Sequence, residues 1–361
     1  GNEGYIGIFD QDKLQVSIDT NFCCRGCDAT TAQKLKQDIL TVLKSPVEER
    51  ERLGSYARQV VKERYSVDTM ADDAMKMYVS IVKNSRINQV TKEEFQDIDA
   101  YLQPNPARKK SGAADVMISG YYGFNNSGDD SILKAMIQSL VALKPHIRIV
   151  ALSNNPQETT ATYGVDAIHR FNFPRIAWQL RKTQLLISGG GSLIQDVTSD
   201  KSLAYYLGII RLGKAMGAKV MLYANGIGPI GNPANHRKIQ KVLNQTDLIT
   251  LRENASVEEL LRFGVTVPRI VVTADPAFTL TPANPEETEA ILEKTGLPAG
   301  AEFCGIAVRA WKKLDDDFVK SLGYIADYIK REYALELLFI PMQTAKDTPI
   351  SQKIMDTMEQ R

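Results

Sequence analysis

The sequence predicts an α/β protein: a doubly wound parallel-sheet lobe, then an incomplete second α/β lobe, the whole preceded by a small, mainly helical segment. Three observations predict it. From residue 115 onward, short apolar runs of four to seven residues alternate with helical patterns, which is the signature of a parallel sheet covered on both faces. Several of these runs end in glycine clusters or charged residues, and ligands of such sheets bind at the carboxyl ends of the strands. The 361 residues are 43% hydrophobic and 24% charged, ordinary for a globular chain long enough for two or three domains.

The totals also exclude function classes. A net charge of +1 gives no electrostatic footprint for nucleic acid. No apolar run reaches transmembrane length and no signal peptide is visible, so a cytoplasmic location is expected. Three of the four cysteines, Cys23, Cys24 and Cys27, lie together. No second pair follows to complete a zinc site, and reduced thiols are the simpler reading, so no metal is expected. The chain begins with Gly1 rather than Met, which reads as processing or a fragment.

In chain order, residues 4–9 read as a short strand, 31–43 as a helix and 47–65 as a second helix with Pro46 at its start. Ser66 is positioned to cap a third helix. Residues 1–83 are therefore expected to form one unit. Residues 84–113 read as a linker, polar and then proline-bearing at Pro104 and Pro106. Its Arg108, Lys109 and Lys110 either touch phospholipid headgroups or are simply solvated.

The first lobe is expected over 114–284. Its strands are 116–119, 147–153, 185–188, 220–224, 248–251 and 270–273, with a further short strand before His169. Its helices are 131–143, a stretch ending at 178–183, 201–216 and 234–245. The second lobe, 285–361, has helix 285–295, strand 303–308, helix 315–333, strand 335–340 and a helix from 350. It reads as truncated at Arg361, because a doubly wound lobe needs more strands.

The informative residues lie at the strand ends. The first strand runs into a Gly-, Asn- and Asp-rich loop, 120–130, where Ser127, Asp129 or Asp130 is placed to cap the next helix. The run 188–192, SGGGS, leaves backbone N–H groups unshielded, which suits a phosphate, a carboxylate or a sugar. Gln195 and Asp196 follow. The next strand ends in 225–229, NGIGP, the next in Arg252, Glu253 and Asn254, and the last in Asp275. The last four of these ends, on one edge, point to a binding cleft.

The motifs GYYGFNNSGDDSIL, LLISGGGSLIQD, ANGIGPI, LITLRENASVEELLRFGV and VVTADPAF, in this order, resemble the polysaccharide pyruvyl transferase family over about 115–361, most closely the bacterial cell-wall branch known as the CsaB type. The resemblance implies a glycosyltransferase-B-like two-lobed fold. It also implies transfer of pyruvate from phosphoenolpyruvate to a sugar, forming a cyclic ketal. In the cell-wall branch the sugar is N-acetylmannosamine of a lipid-linked secondary cell-wall polysaccharide precursor, and the product anchors S-layer proteins. Residues 1–83, through GNEGYIGIFD, NFCCRG and PVEERERLGSYARQVVKERYSVDTMADDAMKMY, resemble the C-terminal end of a family-4 type glycosyltransferase. The nucleotide-sugar site of that family lies upstream, so these residues read as a remnant or fusion that packs rather than catalyses.

Within the pyruvyl transferase resemblance, phosphoenolpyruvate is the expected co-substrate and no cofactor is needed. Arg252 matches the donor-binding arginine, and its guanidinium suits both the phosphate and the carboxylate. The bland alternative is a surface ion pair. Arg309 is a second donor candidate. Gly189, Gly190, Gly191 and Ser192 are expected at the donor. Asn126, Asp129, Gln195, Asp196 and Asp275 are expected to hold sugar hydroxyls or orient the arginines, or, for the carboxylates, to cap helices. The reaction needs a general acid. The family supplies one from a Met-Arg-x-His motif that this sequence does not contain, and His146, His169 and His236 read as surface residues. The expected partners are phosphoenolpyruvate and a lipid-linked saccharide, with peripheral contact at the inner membrane face and no nucleic acid; the oligomeric state is left open. Two other readings stay open: a glycosyltransferase of cell-wall synthesis, and a truncated, non-catalytic module that binds sugar or phosphate.

Overall fold

The computed structural model describes residues 8–14, 31–65, 114–273, 275–298, 300–309 and 316–359. The expected strand over 4–9, for all but its last two residues, the Cys23–Cys27 loop, the third N-terminal helix and the linker lie outside these residues. The chain divides into two compact units, Arg64–Leu280 and a second one formed by Gly1–Glu63 with Thr281–Arg361.

The second unit opens with helices α1, Ala32–Lys44, and α2, Val47–Tyr65. Thr31, not part of the helix, N-caps α1 by accepting from the Lys34 N–H at 3.2 Å.

The other unit is one seven-stranded sheet. Its elements are β1 Val116–Tyr122, α3 Ser127–Leu143, β2 Ile149–Ser153, α4 Pro156–Tyr163, β3 Asp166–His169, α5 Phe173–Leu180, β4 Leu185–Gly189, α6 Asp200–Ala215, β5 Lys219–Asn225, α7 Pro233–Leu243, β6 Leu248–Leu251, α8 Ala255–Arg262 and β7 Arg269–Val272. A 3-10 turn, Pro276–Thr279, follows. Every strand pairing is parallel, in the order β3-β2-β1-β4-β5-β6-β7. This meets the expectation of a doubly wound sheet.

Both faces are covered, which is why the strands read as continuous apolar runs. On one face Val116, Ile118 and Tyr122 pack with Ile132, Leu133 and Met136 of α3. On the other, Met117, Leu152, Leu186 and Leu222 pack with residues of α5, α6, α7 and α8, including Ile176, Tyr206, Ile239 and Leu260. The crossover helix changes face between β3 and β4, and β4 lies beside β1. The topological switch point is therefore the crevice between the carboxyl ends of β1 and β4.

The remaining elements are α9 Pro285–Glu293, β8 Phe303–Ile306, α10 Asp316–Tyr333, β9 Glu336–Phe339 and α11 Thr344–Thr357. β8 and β9 form a parallel pair. Within this unit α1 packs on α10: the Lys36 ammonium lies 3.7 Å above the Tyr324 ring, and Arg50 donates to the Tyr333 hydroxyl at 2.6 Å and to the Leu43 carbonyl at 2.9 Å.

Several element bounds correct the sequence reading. β1 runs on to Tyr122, so the expected loop 120–130 shrinks to four residues, 123–126. Gly120 is a strand residue because the Tyr122 ring folds back over it: a Cβ there would lie 2.3 Å from the ring. The helix cap is Asn126, whose side-chain Oδ1 accepts from the Gly128 N–H at 3.2 Å; Ser127, Asp129 and Asp130 are inside the first turn. Two helices, α4 and α8, are additions to the expected set. α11 begins at Thr344 rather than at 350, with Pro349 carried inside it.

Candidate functional site

β4 ends in Ser188 and Gly189, and the loop beyond turns through Gly190 and Gly191 at φ of +71° and +69°. The left-handed backbone at these two positions is open to glycine and strained for other residues. At Gly190 the space is closed as well, since a Cβ would lie 2.0 Å from Ile132. The Tyr122 hydroxyl donates to the Gly189 carbonyl at 2.8 Å, and the Gly190 N–H donates to the Tyr223 carbonyl at 3.0 Å. So the loop is held from β1 on one side and β5 on the other.

β5 ends in a kink. Ala224 is left-handed, at φ +48°, and the pairing of β5 with β6 shifts register between Leu222 and Asn225. The N–H of Ala224 donates to the Thr250 hydroxyl at 2.8 Å. The kink aims Asn225 back across the sheet, where its amide donates to the Ser188 carbonyl at 2.9 Å and the Tyr223 carbonyl at 3.1 Å. Local strain of this kind in a non-glycine residue costs about 1–3 kcal/mol and collects at functional sites. Beyond it, the Gly226 N–H donates to the Gly191 carbonyl at 3.1 Å, and the Ile227 N–H to the Ser256 hydroxyl at 2.8 Å. Ser256 in turn donates to Glu253 at 3.0 Å.

Arg252 lies one residue past β6, in the middle of this ring of loops. Its Nη1 donates to Asp275 at 2.6 Å and its Nη2 to the Ser192 hydroxyl at 3.2 Å. Its Nε is buried and makes no hydrogen bond. Gly226 lies along the Nε–Nη2 edge: a Cβ there would sit 3.4 Å from each nitrogen and 2.7 Å from the Ser192 hydroxyl. Asp275 also accepts from the Ala277 N–H at 3.0 Å, which caps the 3-10 turn and fixes the carboxylate. The ion pair is three-quarters or more buried on both sides, with 24% and 21% of the side chains exposed, so it is unlike a loose surface pair.

The other expected residues fall into different roles. Asp129 stands beside Gly191, its carboxylate 3.1 Å from where a Cβ would be. Asn126 spends its side-chain Oδ1 on the α3 cap. Gln195 turns back on its own loop, bonding Thr198 through both amide ends at 2.6 and 3.1 Å. Asp196 accepts from the Gly231 and Asn232 N–H groups at 2.8 and 3.0 Å and from the Asn235 amide at 3.0 Å. Burial pushes its carboxyl up, but these donors outweigh that and hold it below the usual range. It ties the β4–α6 loop to the β5–α7 loop. Arg309 belongs to the other unit, where it follows β8 and donates to Gln343 at 3.1 Å. Of the histidines, His146 and His169 are exposed, but His236 is half-buried against Phe263, with ring centres 4.7 Å apart.

Two groups escaped the sequence reading as site residues, Asn225 and Ser256. Both stood inside quoted motifs. Nothing local marks them, since their partners are 37 and 29 residues away.

The fold and site define a class: a doubly wound α/β lobe with an oriented arginine, a glycine-rich backbone loop and fixed carboxylates gathered at one strand-end edge. Residues 126–356 match the family model of polysaccharide pyruvyl transferase, and the chain belongs to that family. No curated protein matches it. Among solved structures it is similar to a glycosyltransferase from Rickettsia africae, at 10% identity and a TM-score of 0.42, over 68% of this chain and 65% of that one. It is also similar to S. aureus MnaA bound to UDP, at 11% identity and 0.44, over 67% and 65%. A third is a UDP-N-acetylglucosamine 2-epimerase, named as putative, from Listeria monocytogenes, at 12% identity and 0.41, over 68% and 66%. The chain thus spans just under two thirds of each of those proteins. None of its described helices is long and apolar enough to cross a membrane.

Proposed function

We propose that the chain transfers pyruvate from phosphoenolpyruvate to a sugar, N-acetylmannosamine of a lipid-linked secondary cell-wall polysaccharide precursor, and that the product supports S-layer anchoring. The observation that carries the reading is Arg252, oriented by Asp275 and Ser192, with its Nε left without a hydrogen bond beside Gly226. Nε and Nη2 form the fork that grips a carboxylate or phosphate through two parallel hydrogen bonds. The donor carries both groups. Family membership supports the chemistry, and the Gly189–Gly191 backbone supports an anion or sugar held close to the main chain.

In the balanced reaction, two hydroxyl oxygens of one sugar bond to the enol carbon. One of their protons goes to the methylene carbon and the other leaves with phosphate. Arg252 neutralises charge on the donor, and Asp275 keeps the arginine in place. Asp129, beside Gly191, is the carboxylate best placed to orient a hydroxyl. Peripheral contact with the inner membrane face fits an acceptor carried on lipid.

The test is phosphate release from phosphoenolpyruvate with and without an N-acetylmannosaminyl acceptor, read together with the mass of the acceptor. Acceptor-dependent release with a ketal-sized mass gain, lost in Arg252→Ala, is the expected result. A well-folded chain that binds phosphoenolpyruvate without turnover would favour the non-catalytic reading. Sugar transfer from a nucleotide sugar would favour the glycosyltransferase one.

A further inference from the structure

Strand β3 borders the sheet, and the chain leaves its carboxyl end into HRFNFPRIAWQLRK, residues 169–182. The stretch starts on the same strand-end edge as Arg252, and α5 then runs back toward the amino end of β4. Its helix α5 already buries Ile176, Gln179 and Leu180 against the core. Three large aromatic side chains of the stretch stay about half exposed: Phe171 is 56% exposed, Phe173 47% and Trp178 55%, the first two resting on Tyr205 at its edge. Of the other exposed large apolar side chains described in this unit, Val141 and Leu143 share the end of α3, and Val197, Leu261, Val267 and Phe278 are spread over separate segments, none of them aromatic but Phe278. Single exposed apolar residues are normal, but three rings within eight residues form a patch.

The charge around the patch has one sign. Arg175 and Arg181 are exposed, the Lys182 ammonium lies 3.5 Å above the Trp178 ring, and residues 169–182 contain no Asp or Glu. Arg170 is 5% exposed and sits among Phe124, Phe171, Tyr205 and Tyr206, 4.2–5.6 Å from their ring centres. Its Nε and Nη1 make no hydrogen bond. The buried cation braces the base of Phe171 and adds positive potential below the patch. Phe171 also meets Phe173 and Tyr205 edge-on, at 6.4 and 5.5 Å. The patch is therefore presented by fixed neighbours.

We propose that residues 171–182 form a docking surface for an anionic lipid bilayer. Aromatic rings that enter the headgroup layer, flanked by cations that meet lipid phosphates, are what such an interface selects. The absence of acidic residues gives the charge complementarity. Its use would be to hold the chain at the membrane that carries a lipid-linked acceptor, and in that use it rests on the proposed function; the docking itself does not.

The test is flotation of the full chain with vesicles, without any substrate. Phosphatidylcholine vesicles holding 30% phosphatidylglycerol (about a third anionic lipid) are compared with phosphatidylcholine alone. Binding to the anionic vesicles is expected, weakening in high salt. The triple variant Phe171→Ser/Phe173→Ser/Trp178→Ser should lose more than about tenfold of the bound fraction, and so should Arg175→Gln/Arg181→Gln/Lys182→Gln at low salt. Both variants change exposed or half-buried surface side chains, and unchanged melting temperatures confirm folding. The aromatic variant should keep wild-type turnover on a water-soluble acceptor. A wild-type chain that ignores both vesicles overturns the proposal, as does an aromatic variant that floats as well as wild type. Binding of the same rings to soluble saccharide in place of vesicles overturns it too. Loss of turnover in every form with vesicle binding intact would count against the pyruvyl transfer reading alone.

Discussion

In the proposed reaction the contact with the donor rests on one side chain, Arg252. Its Asp275 partner, its Ser192 contact and its unused Nε are set by residues 23 and 60 positions away, so the sequence shows the arginine but not its orientation. A charge-assisted bidentate contact is worth about 1.5–3 kcal/mol, so Arg252→Ala should lower kcat/KM for phosphoenolpyruvate by about 10–100-fold. Arg252→Lys, which keeps the charge and loses the fork, should recover little of it. Steady-state kinetics in the phosphate-release assay decides both. Gly226→Ala is a sharper probe. Its φ is not in the left-handed region, and the added methyl meets the Ser192 hydroxyl and the Arg252 fork rather than the core. The expected result is a raised KM for the donor with a melting temperature close to wild type. A large drop in melting temperature would show that Gly226 serves folding instead.

At the level of elements, Gly190 and Ser256 show how loops are kept in place. Gly190→Ala pairs a left-handed backbone with a methyl 2.0 Å from Ile132, and overpacking of that kind costs about 1–3 kcal/mol before the strain of the backbone is added. Ser256→Ala strands the buried Ile227 N–H and should cost about 1–3 kcal/mol. Denaturant midpoints measure both. The reach of the sequence is clearest at this level. β6 matches its expected bounds because Leu248–Leu251 is an isolated apolar run. β1 was harder: Gly120 looks like the start of a turn, and only the Tyr122 ring above it explains why the strand continues. Pro349 looks like a first-turn residue. Its helix starts earlier because buried Asp347 accepts from the Gln343 N–H at 2.6 Å, a contact within the first turn that propensity does not reveal. Asp196 was legible as a carboxylate near the cleft. Its engagement with Gly231, Asn232 and Asn235 depends on a loop more than thirty residues away.

Within the sheet unit, three carboxyls favour stability above the acid range, against Asp130, which burial pushes up. Asp115, Asp196 and Asp247 all hold carboxyls below their ordinary value of 3.8. For Asp247, burial opposes ionisation, but Lys214 at 2.7 Å, the Val220 N–H at 2.8 Å and Lys219 at 3.1 Å prevail. A carboxyl lowered by folding contributes stability that is fully present above its unfolded pKa and lost as pH falls through the folded one. The denaturant midpoint should therefore hold from neutral pH to about 4 and then fall. Asp247→Asn should lower the midpoint at pH 7 and flatten that acid limb. An unchanged acid limb in this variant would show that the Lys214–Asp247–Lys219 cluster is not a determinant.

The Asp196 clasp has one more consequence. It couples the loop after β4 to the loop after β5, and these are the two loops that carry the glycines beside Arg252. Ordering that rim is part of folding, so a ligand entering it meets a mould already set. Calorimetric titration of a donor analogue should then show association with little entropic penalty, and Asp196→Asn, which loosens the clasp, should make the same ligand bind with a larger one.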